Sequence, residues 1–256
     1  MRVRLDAGGA RNVERVVEMH LKRLAAPVVF DIPPKGKKFA PRPSPGPHPI
    51  DYSVPLLVIV RDWLRYASTA REAEKIVHQG KLLVDGRAVR DPRFPVGLMD
   101  VLSVPETGEI YRMLPVYRRG LRLVEIDKSE AGFKIGLIVR KQHVKGGALQ
   151  FTLHDGRNVL VKHPTEQDLS IGTWDSFQIS VPENKVLAHL SFDVGKYALI
   201  YRGSRAGLHG PVVDYERVRR YPAKQLVTIQ TSEGDISTIL DYVMVVGDER
   251  PWLKLP

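Results

Sequence analysis

The chain has 256 residues, with 39 Lys+Arg against 29 Asp+Glu, a formal charge of +10 and a pI near 9.8. That balance favours a polyanionic partner, whether RNA, DNA or an anionic membrane surface, with a merely soluble basic surface as the plain alternative. Cysteine is absent, which excludes disulfides and thiolate metal sites and fits a cytoplasmic protein; nothing reads as an apolar membrane span or a signal peptide, so no membrane partner is expected.

The charge is uneven: residues 1–53 carry 10 Lys+Arg against 5 Asp+Glu and so supply half of it. Residues 1–19 are polar, with a helical run over 12–19, and read as a detachable segment with Met19 as an alternative start. Residues 20–53 form a basic arm. Seven of the 17 residues from Pro33 to Pro49 are proline, which excludes helix and sheet interiors and leaves a stiff, extended segment. Such a segment loses little entropy when it lies along phosphates. Its candidate contacts are Lys22, Arg23, Lys35, Lys37, Lys38 and Arg42; an inter-domain linker is the other reading.

Residues 54–105 are the most strongly patterned. Leu56, Leu57, Val60, Leu64 and Ala67 predict a helix with one apolar stripe, placing Arg61 and Arg65 one turn apart on another face. A second helix starts at Thr69, which forms a capping box with Glu72. Its core face is Ala70, Ala73, Ile76 and Val77, while Arg71, Lys75 and His78 make a separate basic ridge. Gly80 ends it. Residues 82–84, Asp85-Gly86 and residues 87–90 read as strand, tight turn and returning strand, with Arg87 and Arg90 flanking the turn. Residues 96–104 supply a closing strand.

From 106 to 193 the pattern is β, with short strands separated by the turns at Gly146-Gly147 and Asp155-Gly156, as in a compact barrel or sandwich. A third unit, 194–256, opens with a strand at 197–201 and a basic glycine loop at 202–210 holding Arg202 and Arg205. Its glycines serve either a close partner or the tight loop itself. The fold class expected is α+β, mostly β, with several domains.

Chemistry for turnover is missing. The eight histidines never take His-x-x-x-His spacing, so no metal site is expected. His154-Asp155 precedes Gly156 and reads as a turn, not an acid–base pair. Neither a phosphate-cradling Gly-x-x-x-x-Gly-Lys loop nor a Gly-x-Ser-x-Gly elbow occurs. No catalytic residue, cofactor or small-molecule substrate is assigned.

The two helices, Gly-Lys-x-x-Val-Asp-Gly-Arg-x-Val (80–89) and Gly-x-x-Asp-Val-x-Ser-Val (97–104) resemble the S-four RNA-binding domain, or αL motif. Together with His-Leu-Lys-Arg-Leu-Ala-Ala-Pro (20–27), Arg-Pro-Ser-Pro-Gly-Pro-His-Pro (42–49) and Phe-Pro-Val-Gly-Leu-Met-Asp-Val (94–101), they are similar to the archaeal and eukaryotic S-four-e family of small-subunit ribosomal proteins. The glycine loop resembles a KOW motif. The resemblance implies an αL-type domain, a central β-rich domain and a C-terminal Src-homology-three-like barrel. It also implies a structural role in the ribosome, with small-subunit rRNA and neighbouring small-subunit proteins as partners. The family carries a tryptophan after its first Ala-Pro, where this chain has Val28. Pseudouridine synthases share the S-four-type domain but resemble Gly-Arg-Leu-Asp; here Gly156-Arg157 leads to Asn158-Val159 and Gly86-Arg87 to Ala88-Val89, without the aspartate. A KOW-bearing transcription factor leaves the proline arm unexplained.

Overall fold

Three five-stranded antiparallel sheets follow one another along the chain in a computed structural model that describes residues 20–33, 35–36, 38–216 and 225–256. The expected 12–19 helix and Lys37 lie outside the described residues. The first sheet has the order Arg87–Ala88, Leu83–Val84, Val101–Val104, Glu109–Val116, Gly120–Glu125. Val101 pairs with Arg112, so this sheet continues past residue 105. The second runs Asn158–Val161, Leu149–Leu153, Phe133–His143, Ser176–Ser180, Val186–Leu190. The third runs Gly234–Ile239, Leu226–Thr231, His209–Glu216, Tyr197–Ile200, Val243–Gly247. The strand Leu149–Leu153 alternates, with Leu149, Phe151 and Leu153 buried while Gln150 and Thr152 are not, whereas Val243–Gly247 is buried throughout. One continuous apolar core links the first and third sheets and takes in Ile135, Leu137 and Leu190 of the second, which holds a smaller core of its own around Phe151 and Phe177.

The helical part departs from its expected pattern. A single α-turn, Leu56–Val58, passes into a π-helical segment, Ile59–Trp63, closed by the Leu64 N–H donating to the Ile59 carbonyl at 2.8 Å. Residues 56–60 are all buried, so the helix is enclosed on every side and offers no polar face. Arg65 follows the helix in the left-handed region at φ 58°. The expectation that Arg61 and Arg65 share an exposed helical face is therefore corrected. The expected strand over 96–104 is likewise two strands, Pro95–Gly97 and Val101–Val104, broken where Met99 takes φ 66°.

The proline-rich arm is extended but not detached. Leu21–Lys22 pairs with Phe39–Ala40, and Phe30, Ile32, Ala40 and His48 are buried. Gly97 is what admits His48: a Cβ there would stand 2.2 Å from the imidazole Cγ.

At the centre lies Lys134, 1% exposed, on the first strand of the second sheet. Its Nζ donates to Asp85 at 2.6 Å and Asp100 at 3.0 Å, and meets Asp155 at 2.7 Å. Asp85 and Asp155 are each the aspartate of an Asp-Gly turn, and both are also bridged by Arg157. Asp85 further accepts from the Val101 N–H at 3.0 Å. Asp100 accepts from the Gly97 N–H at 3.0 Å and lies 2.9 Å from His48 Nε2. The His154 ring accepts from the Leu137 N–H and reaches the Leu98 carbonyl, both at 3.2 Å. Burial opposes every charge in this cluster, yet the three carboxylates hold the Lys134 ammonium above its ordinary range. Lys134 and His48 in turn hold Asp100 below the usual carboxylate range against the same burial. Asp85 is pushed up by burial and by Asp100. A second buried cation, Arg112, donates to the carbonyls of Glu130 and Phe133, both at 2.8 Å, and ties the first sheet to the start of the second.

Removing one partner of a buried ionic cluster leaves the others uncompensated, at a cost of about 3–5 kcal/mol. Lys134→Met is expected to lose about that much stability in urea unfolding at pH 7, whereas Lys145→Met, at an exposed turn, should change it by no more than about 0.5 kcal/mol. Equal losses would contradict the central placement of Lys134. Burial also pushes the His154 imidazole down to about 4, below its unfolded value of about 6.5. Between those values protons bind the unfolded chain preferentially, so stability should fall as pH drops from about 6.5 to 4, by up to roughly 3 kcal/mol. The same urea titration on His154→Gln should lack this part of the pH dependence; matching pH slopes in the two proteins would refute it.

Candidate nucleic-acid interface

The helix Ala70–His78 begins with a complete capping box, the Thr69 hydroxyl accepting from the Glu72 N–H and the Glu72 carboxylate accepting from the Thr69 N–H. Ala73 and Val77 fix its inner face, and Arg71, Lys75 and His78 stand exposed. Ala70 is exposed and Ile76 only partly buried, so the core stripe is narrower than the expected four residues. The hairpin that follows turns through Asp85 at φ 50° and Gly86 at φ 71°, two successive left-handed residues of the kind a two-residue hairpin needs. Arg87 and Arg90 are exposed. Arg90 folds back over the helix end, its Nε 3.3 Å from where a Gly80 Cβ would stand.

Between this hairpin, Gly46-Pro47 of the arm and Gly156-Arg157 of the second sheet lies a cleft of about 670 Å³. Arg87, Arg90 and Arg157 line it, and Asp85, Asp100, Asp155 and Lys134 reach it from beneath. The aspartates are already engaged by Lys134 and Arg157, so Arg87 and Arg90 face solvent as cations able to bind phosphate oxygens.

The other candidates divide. Lys22, Lys35, Lys38 and Arg42 are exposed, with Lys38 Nζ 5.6 Å from the Phe39 ring centroid. Arg23 is half-buried and its Nε donates to the Pro33 carbonyl at 2.9 Å. Arg61 is buried and bound through Nε and Nη2 to Asp62, so it braces the π-helical turn and is removed from the solvent-facing set; Arg65 is exposed away from any helix. Arg202 stacks 4.3 Å from the Tyr52 centroid, and Arg205 is exposed. The glycines of that loop answer to packing: a Cβ on Gly207 would meet the Tyr117 nitrogen at 2.2 Å, and one on Gly210 the Gln230 carbonyl at 1.8 Å.

Two features went unread in the sequence. Arg118 and Arg119 are exposed at the tip between Glu109–Val116 and Gly120–Glu125, and Gly120 after an Arg-Arg pair is the turn signal that marks them. Lys134 gave no signal, since a lone lysine at a strand start ordinarily faces water. Among the described residues no group of three His, Asp or Glu side chains is placed to hold a metal ion, and no helix is long and apolar enough to cross a membrane.

Residues 107–186 match the model of ribosomal family S4e, residues 17–51 that of the RS4NT (NUC023) domain, and residues 54–102 that of the S4 domain. The small ribosomal subunit protein eS4 of Methanocaldococcus jannaschii is 45% identical over 240 residues, 92% of this chain and 97% of that protein. Its counterpart in Staphylothermus marinus is 46% identical over 244 residues, 93% and 95% of the two chains. The crystal structure of the 30S ribosomal protein S4e from Thermoplasma acidophilum superposes with a TM-score of 0.65 at 33% identity, covering 77% of this chain and 96% of that one. At such identity over nearly the whole length, and with the capped helix, Asp-Gly hairpin and docked proline arm in place, the chain belongs to the S4e family of ribosomal proteins.

Proposed function

We propose that the protein is a structural constituent of the small ribosomal subunit that binds small-subunit rRNA, without catalytic turnover. The observation that carries this reading is the exposure of Arg71 and Lys75 on the capped helix and of Arg87 and Arg90 on the hairpin that follows it, the latter two lining a cleft whose acidic floor is internally neutralised. Cations mounted on rigid elements neutralise phosphates and release counterions, which gives affinity that falls steeply with salt. A-form RNA hides its base edges in a deep groove, so backbone and shape contacts dominate over sequence reading.

The division of labour we favour has a basic arm over 20–53, an αL-type domain over 54–105, a central β-rich domain over 106–193 and a KOW-type barrel over 194–256. The five-stranded antiparallel order of the third sheet supports the last of these. Lys22, Lys35, Lys37, Lys38 and Arg42 extend the contact along the arm, and Arg65 and Arg205 add flanking charge. Neighbouring small-subunit proteins are the second class of partner, and the working place of the molecule is the cytoplasmic ribosome.

Arg71→Ala with Lys75→Ala should leave the fold intact, because neither side chain is buried. Filter binding to small-subunit rRNA across a salt series should show weaker binding and a logarithmic salt slope smaller by about two. An unchanged slope would take this helix out of the rRNA contact.

A further inference from the structure

A second groove, of about 660 Å³, runs between the second and third sheets and is lined also by Pro47 and Pro49 of the arm. Its walls carry Trp174, Tyr201, Arg202 and Val139. The two rings are fixed by one residue: Trp174 Nε1–H donates to the Asp241 carboxylate at 3.0 Å, and the Tyr201 hydroxyl donates to the Asp241 carbonyl at 2.8 Å. Trp174 also sits in the left-handed region at φ 71°, a costly backbone conformation for a bulky residue. Val139 lies at a register shift between Ile138 and Arg140 and is 56% exposed although apolar.

Arg202 is the unusual member. Its guanidinium is held between the rings of Tyr52, at 4.3 Å, and Tyr201, at 5.1 Å. Its Nε is shielded from solvent and has no hydrogen-bond partner, and no carboxylate among the described residues pairs with it. Among the described residues Arg61 and Arg157 have carboxylate partners at Nε, and Arg112, whose Nε is also unpaired, donates through Nη2 to two carbonyls, whereas Arg202 has neither. A cation immobilised by stacking, partly dehydrated and left without an acceptor is preorganised for an external anion.

We propose that this groove holds one unpaired nucleotide of a structured RNA, its base lying against Trp174 and Val139 and its phosphate on the Arg202 guanidinium. The inference rests on the rRNA-binding reading and adds to it a single-strand subsite distinct from the helix-and-hairpin surface. Aromatic faces accept any base by stacking, and the planar fork of arginine fits phosphate oxygens. A duplex keeps its bases stacked inside and cannot present one to such a slot. An acidic peptide would satisfy Arg202 but leave the Trp174 face and Val139 without a use.

The test uses the full chain with a 12-nucleotide single-stranded RNA carrying one 4-thiouridine, the matching 12-base-pair duplex, and oligo-glutamate as competitor. Photo-crosslinks of the single strand should map to peptides containing Trp174 or Tyr201. Arg202→Lys, which keeps the charge and loses the stacked fork, should weaken single-strand binding about tenfold while duplex binding stays within about twofold. Val139→Glu, at an exposed position, should weaken the same binding with an unchanged melting temperature. Crosslinks confined to other peptides, equal losses on both RNAs, or competition by oligo-glutamate at matched charge would overturn the groove assignment while leaving rRNA binding standing. Failure of the unmodified protein to bind either RNA at low salt would overturn the rRNA-binding reading itself.

Discussion

Three turns that are far apart in sequence are held in one place by a single ammonium group. Lys134 meets the hairpin turn at Asp85, the inter-strand turn at Asp100 and the second-sheet turn at Asp155, and through Asp100 the contact extends to His48 of the arm. Such a cluster is weak evidence for stability, because dehydrating four charges is expensive. What it provides is a defined arrangement. Each carboxylate also accepts a backbone N–H, from Val101, Gly97 or Arg157, so displacing one turn exposes charges and amides together. The hairpin bearing Arg87 is thereby fixed against the second sheet and against the proline arm.

That constraint decides where the basic charge can act. Part of the Lys+Arg content is internal: Lys134, Arg61, Arg112 and Arg157 bind carboxylates or carbonyls of the fold. Arg122 lies over Trp63 and pairs with Asp31. Among the described surface cations, Arg71 and Lys75 sit on the capped helix, Arg87 beside the Asp-Gly turn, and Lys22, Lys38 and Arg42 on the docked arm. A ligand that binds them meets preplaced charges, and the entropy of ordering them has already been lost in folding.

What could be read from the sequence was local. The Thr69–Glu72 box, Gly80 at the helix end and the two Asp-Gly turns are encoded within a few residues, and each formed where its residues stand. The same locality explains what was missed. Asp85 lies 49 and Asp100 34 positions from Lys134, and no short window shows that a lysine opening an apolar strand is to be buried against both. Arg61 was misplaced because a 3.6-residue period assumes an α-helix with a wet side, whereas residues 56–60 are enclosed and the next turn is π. The glycine loop allowed two readings from sequence, and the close approaches of Gly207 and Gly210 to neighbouring backbone favour packing.

The most direct measurement of the Lys134 cluster as a common anchor is native-state hydrogen exchange at the amides of Gly97, Val101 and Leu137, whose acceptors are Asp100, Asp85 and His154. If the turns are locked together, the three should open in one cooperative unit with a shared free energy close to that of the sheet cores. Opening of Gly97 and Val101 at a free energy well below that of Leu137 would show that the hairpin side moves independently of the second sheet, and the anchor would be contradicted.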